Sequence, residues 1–214
     1  MPTIVFSHES PEYRKRWKQL GAGRFNGAYY YSQEIVENII PRVNTNRPWV
    51  TINVTGCCED RAIVFIHNNL HPLVYNWLAN YKDLVLVCGI PETVAKMGRL
   101  GRAVYLPLSV DVPYVEQFRR DKDRDVAFIG RPKKRKGKRF PRGTEFVEGL
   151  RREEFLEEVA RYRQVYAVGR AAIEARVLGC EILPYDERFP DPAFWKVLDN
   201  AEAAGLLQRI LDES

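Results

Sequence analysis

The residues best suited to chemistry form a dense block of cations. Arg131, Lys133, Lys134, Arg135, Lys136, Lys138, Arg139 and Arg142 place eight positive side chains, and no carboxylate, in twelve residues. The block follows a short apolar run, Val126-Ala127-Phe128-Ile129, closed by Gly130. Such a run reads as a buried strand. A strand that empties into a glycine-bounded basic loop presents N–H groups and cations to phosphates at the carboxyl edge of a sheet. The same residues also fit a solvated basic loop, or an electrostatic patch for nucleic acid centred on Lys133–Arg142.

Other candidates are sparser. His67 follows the third apolar run, at the edge where open α/β sheets collect ligands, and an imidazole there suits a base or a polarising donor. It equally suits a loop contact or a helix cap. His8, between Ser7 and Glu9 after the first run, has the same standing. Asn68 and Asn69 are good partners for sugar hydroxyls and are also common turn residues. Asp121, Asp123 and Asp125 imitate a metal-binding pattern but precede a strand, at the wrong end of a sheet, and read as a solvated turn; no metal site is expected. Gly21, Gly23 and Gly27 are spaced one residue too far, and after a helix, for a dinucleotide fingerprint.

These residues need a scaffold, and the pattern supplies one. Strands are expected at Ile4–Phe6, Trp49–Val54, Ala62–Ile66, Leu84–Cys88, Ala103–Leu106, Val126–Ile129, Gln164–Val168 and Glu181–Tyr185. Helices are expected from Pro11 to Leu20, Ser32 to Ile40, His71 to Tyr81, Pro91 to Met97, Pro113 to Arg120, Glu148 to Arg163, Ala171 to Leu178 and, capped by Asp199, to Leu211. Short, continuously apolar strands alternating with helices indicate parallel sheets covered on both faces. Pro107 and Pro113 break the alternation. The expected organisation is a domain over residues 1–108, a second over 109–198, and a C-terminal helix over 199–214.

Bulk properties narrow the class. Removing the eight cations of the block turns the net charge from +5 to −3, so the positive balance is local, unlike a chain coated in charge for general nucleic-acid binding. No run approaches the ~20 apolar residues of a membrane span, and the N-terminus lacks the pattern of a signal peptide. Cys57, Cys58, Cys88 and Cys180 contain no C-x-x-C pair and read as reduced thiols of a cytoplasmic protein.

Two motifs occur in order: Phe128-Ile-Gly-Arg131 with Lys136-Gly137, then Gly169-Arg-Ala-Ala-Ile-Glu174-Ala175 with Gly179 and Ile182-Leu183. Together they resemble the second domain of GT-B glycosyltransferases of the retaining, nucleotide-sugar-dependent kind. Tyr105-Leu-Pro-Leu-Ser-Val-Asp111 resembles the interdomain segment of that family. The whole chain is also similar to small glycosyltransferase-like proteins encoded in bacteriophage genomes, which implies a place in the cytoplasm of a bacterial host. The resemblance implies an α/β fold of two Rossmann-like domains, the second abbreviated because only about forty residues separate the motifs. It implies that Gly130, Arg131 and Lys136 meet the diphosphate of a nucleotide sugar, that Glu174 meets the ribose, and that the helix opened by Gly169 and Arg170 faces the same phosphates. His67 would serve catalysis, and His8, Asn68 and Asn69 the sugar or acceptor. Fixed cations stabilise a leaving diphosphate without a metal or other cofactor. Two alternatives stand beside this reading: a non-catalytic protein that binds a nucleotide or nucleotide sugar, and a DNA-binding or DNA-modifying protein that uses the basic loop.

Overall fold

The computed structural model describes residues 2–6, 27–52, 58–66, 72–130 and 138–213. They divide into two compact units. The first holds the described residues within 1–19, 28–108 and 200–214, and the second holds Gly27 and those of 109–199.

The first unit is built on a five-stranded parallel sheet, β1 (Thr3–Phe6), β2 (Trp49–Ile52), β3 (Ile63–Ile66), β4 (Val85–Cys88) and β5 (Arg102–Tyr105), in sequential order. Every residue of β3 and β4 is buried, the signature of strands covered on both faces. Their continuous apolar runs have the same cause. Val64, Ile66, Leu86 and Cys88 share one face and pack with Leu78 from helix α2 (Pro72–Leu78) and Met97 from α3 (Pro91–Met97). Helix α1 (Gly27–Glu34) opens earlier than the cap expected at Ser32, which instead lies fully buried inside it. It passes through a π-turn over Ile35–Ile39 and ends in a 3₁₀ turn at Pro41, where the missing N–H stops the ladder. Tyr31, Ile35 and Ile39, four residues apart, form its buried stripe.

The last helix, α7 (Asn200–Asp212), returns to this unit and packs on the π-turn with Ala203, Ala204 and Leu207 buried. Asn200 Nδ2 donates to Glu34 Oε2 at 3.0 Å. Gln208 brackets Asn44, accepting from its N–H at 2.6 Å and donating to its carbonyl at 3.1 Å.

The second unit carries a four-stranded parallel sheet of β6 (Arg124–Ile129), β7 (Glu145–Val147), β8 (Tyr162–Tyr166) and β9 (Glu181–Leu183), in the order β7-β6-β8-β9. Helices α4 (Val112–Glu116), α5 (Arg152–Val159) and α6 (Arg170–Val177) accompany it. The expected helix over 148–163 is shorter than its charge pattern suggested. Val147 pairs onto β6 beside Ile129, the chain breaks at Gly149, and Tyr162 already belongs to β8. Phe155, Leu156 and Val159 are its buried positions. No helix among the described residues is long and apolar enough to cross a membrane. Cys58, Cys88 and Cys180 are buried, unbridged thiols.

Candidate anion site at the carboxyl edge of the second sheet

Strand order selects the site. From β6 the chain goes to β7 on one side, then crosses back to β8 and β9 on the other. The carboxyl ends of β6 and β8 therefore flank the point where the winding reverses, which is where open α/β sheets form a crevice for ligands. The first unit's sequential order has no such reversal among its described strands. At these carboxyl ends β6 ends in Gly130, and the short connection from β8 ends in Gly169, which opens α6.

Both glycines are needed for backbone reasons. Gly130 has φ +145° and Gly169 has φ +68° with ψ −146°, conformations that L side chains rarely adopt. A Cβ on Gly169 would meet no atom within 4 Å, so φ alone, and not crowding, demands glycine. Gly169 offers no side-chain cap to α6. The amino end of a helix left open this way carries partial positive charge.

Immediately inside that end lies a buried ion triad. Arg170 Nε donates to Glu174 Oε1 at 2.8 Å, and Arg152 Nη1, from the first turn of α5, donates to the same oxygen. Glu174 is completely inaccessible, and Arg170 and Arg152 are 3% and 4% exposed. Glu174 Oε2 is also buried and has no hydrogen-bond partner among the described residues. Burial pushes the Glu174 carboxyl up, but the charges of Arg152 and Arg170 outweigh it and hold the group below the usual carboxylate range. Two guanidiniums and one carboxylate leave a net positive charge beneath the α6 N-terminus. The ring of Tyr114 lies under Arg152, 5.7 Å from centroid to guanidinium carbon.

Gly130, Gly169, Arg170 and Glu174 are thus gathered at or just below the edge of two adjacent strands. The side chain of Glu174 faces arginines in the interior. Arg131, Lys136, His8, His67, Asn68 and Asn69 lie outside the described residues. Arg152 carried no signal in the sequence: in Arg151-Arg152-Glu153-Glu154 it reads as one more solvated charge, and only the packing of α5 beside α6 brings it to Glu174. Asp123 is engaged by Arg161, which donates to both carboxylate oxygens at 3.1 and 2.8 Å, while Asp125 stays exposed.

The stretch after the basic block is also tied to this edge. Phe128, Phe146 and Tyr166 occupy matching register positions on β6, β7 and β8. Phe140 packs over them, its ring centroid 5.1 Å from those of Phe128 and Tyr166 and 6.0 Å from that of Phe146. Tyr185 closes the group 5.1 Å from Phe128.

No family model, curated protein or solved structure matches this chain.

Proposed function

We propose that the second unit binds a nucleoside diphosphate or nucleotide sugar at the β6–β8 crevice, and that the protein acts as a GT-B-like glycosyltransferase, moving a sugar from a nucleotide donor to an acceptor. The observation that carries this reading is that Gly130 and Gly169, both at positive φ, follow the carboxyl ends of the adjacent strands β6 and β8 at the switch point of the sheet. A diphosphate placed there would lie against the α6 N-terminus, above the positively charged triad. Arg131 and Lys136, next to Gly130 in sequence, are the cations assigned to it by resemblance. As the bond to the sugar breaks, negative charge grows on the leaving diphosphate, and cations already in place lower that barrier.

In this reading Glu174 does not itself reach the ribose. Its burial supports a positioning role, holding Arg170 and Arg152 below the phosphates. Arg170 stands at the first position of α6, where the helix dipole disfavours a cation. A local rule broken in this manner is expected where a ligand supplies the opposing charge.

Isothermal titration against UDP, GDP, ADP, dTDP and the matching monophosphates tests the reading. A diphosphate should bind more tightly than its monophosphate, and Arg131→Ala should abolish the difference. Indifference to all four diphosphates would remove the proposal.

A further inference from the structure

A second surface of the same unit carries a separate ligand chemistry. The sheet face that bears Phe128, Phe146 and Tyr166 is aromatic, with Phe128 fully buried and the rings around it only partly covered. Phe146, on edge strand β7, is 45% exposed. Phe140, Tyr166 and Tyr185 are each partly exposed beside it. Lys138 Nζ stands 5.9 Å above the ring of Tyr185, and Arg139 and Arg142, also exposed, flank Phe140 and Pro141 in the chain. Pro141 and Thr144 close a turn, Thr144 donating through N–H at 3.2 Å and Oγ1 at 2.9 Å to the Pro141 carbonyl, which holds Arg142 at its outer corner.

Aromatic rings on neighbouring strands, edged by cations, combine two forces that act on one polymer. Rings stack on unpaired bases, and Lys and Arg track the phosphates between them. A duplex hides its bases and could use only the cations. An acidic protein segment would likewise ignore the rings. We infer that this face binds a single-stranded polynucleotide, with Phe146 as its exposed stacking ring and Lys138, Arg139 and Arg142 as phosphate contacts. The inference does not rest on the nucleotide reading above, because none of these residues belongs to the Gly130–Gly169 crevice; a failed diphosphate titration leaves it standing.

Fluorescence anisotropy with labelled oligo-dT, oligo-U, a duplex of equal length, and heparin tests it on the intact chain. Either single strand should bind more tightly than the duplex, and the two single-strand arms show whether the 2′-hydroxyl matters. Phe146→Leu, which keeps apolar bulk at an exposed position, should weaken single-strand binding by about five- to a hundred-fold. Phe146→Tyr should keep it. The combined Lys138→Gln, Arg139→Gln and Arg142→Gln variant should reduce the slope of log affinity against log salt by about 2. Circular dichroism of each variant confirms folding. Equal binding of duplex and single strand, heparin binding with the same response to every variant, or no effect of Phe146→Leu would each overturn the inference in favour of a general polyanion surface or none.

Discussion

Arg170 reaches forward one turn of α6 to bond Glu174 through Nε at 2.8 Å, with both side chains buried. The order, cation before carboxylate, is the less stabilising one for an isolated helix, so the pair contributes chiefly through burial and its link to α5. Arg152 shares the same carboxylate oxygen. Glu174→Gln would leave two buried guanidiniums without a counter-charge, and breaking a buried ion pair from one side costs about 3–5 kcal/mol. Urea unfolding followed through Trp195, the one tryptophan within 109–199, should report that loss. A variant within 1 kcal/mol of the parent would show that the triad is not the structural centre of the second unit.

The same carboxylate sets an acid limit. Burial alone would raise its pKa, but the two arginines bring it below the ordinary value of 4.5. A group depressed in the folded state contributes stability above its unfolded pKa and loses it as pH falls through the folded one. The parent should therefore lose stability steeply below about pH 4.5, and Glu174→Gln, already destabilised at neutral pH, should show a flatter acid limb. Asp186, lowered chiefly by its hydrogen bond from Arg188, contributes in the same direction at the surface. Midpoints of chemical unfolding across the acid range, for the parent, Glu174→Gln and Asp186→Asn, separate the two.

Gly169 provides a third test. At φ +68° and ψ −146° an alanine is strained by about 1–3 kcal/mol, although its methyl would touch nothing. Gly169→Ala should lower the stability of the second unit by that amount. It should also weaken diphosphate binding by more than the stability loss explains, because relief of the strain rotates the first N–H groups of α6. Calorimetric titration beside a denaturation curve reads both effects. Unchanged affinity in a destabilised variant would confine this glycine to a structural role.

The alternation of apolar runs made both parallel sheets legible, because strands buried on two faces need continuous apolar sequence. Eight of the nine strands among the described residues lie where that pattern put them, within a few residues. The missed one, β7, is an edge strand of three residues with Glu145 and Phe146 exposed, so it lacks the apolar signal that burial writes. Gly130 and Gly169 were visible as motif glycines, and their positive φ gives the physical reason. The Arg152 contact with Glu174 and the grouping of Phe140 with Phe146, Tyr166 and Tyr185 were not visible. Each joins residues brought together by strand register or helix packing, neither of which leaves a local pattern.

Lys122 was hidden for the same reason, since it lies in a run that looks like a solvated turn. Its Nζ donates to the Ala160 carbonyl at 2.8 Å and to the Leu178 carbonyl at 2.7 Å. Those two residues cap the carboxyl ends of α5 and α6, so one ammonium serves the negative ends of two helix dipoles. Lys122→Met keeps the stem and removes the charge. It should cost about 2–3 kcal/mol, as expected for hydrogen bonds to a charged group. Lys122→Arg should recover part of the loss, and a neutral result for Lys122→Met would show that water serves these carbonyls equally well.

At the alkaline end the relevant group is Tyr162. Burial, with Glu145 and Glu158 beside its hydroxyl, pushes its pKa from 10.0 to about 12, against the opposing hydrogen bond from Arg124. A pKa raised in the folded state gives stability that is full below the unfolded value and is lost as pH climbs toward the folded one. The second unit should therefore weaken between about pH 10 and pH 12, with tyrosinate absorbance rising in step with unfolding. Tyr185, pushed by burial to about 12, acts in the same window. Tyr162→Phe removes the ionisable hydroxyl and should flatten this limb only in part, while Arg124 keeps its contacts with Glu145 and Glu158, both at 2.8 Å. An alkaline limb unchanged by Tyr162→Phe would assign the transition to Tyr185.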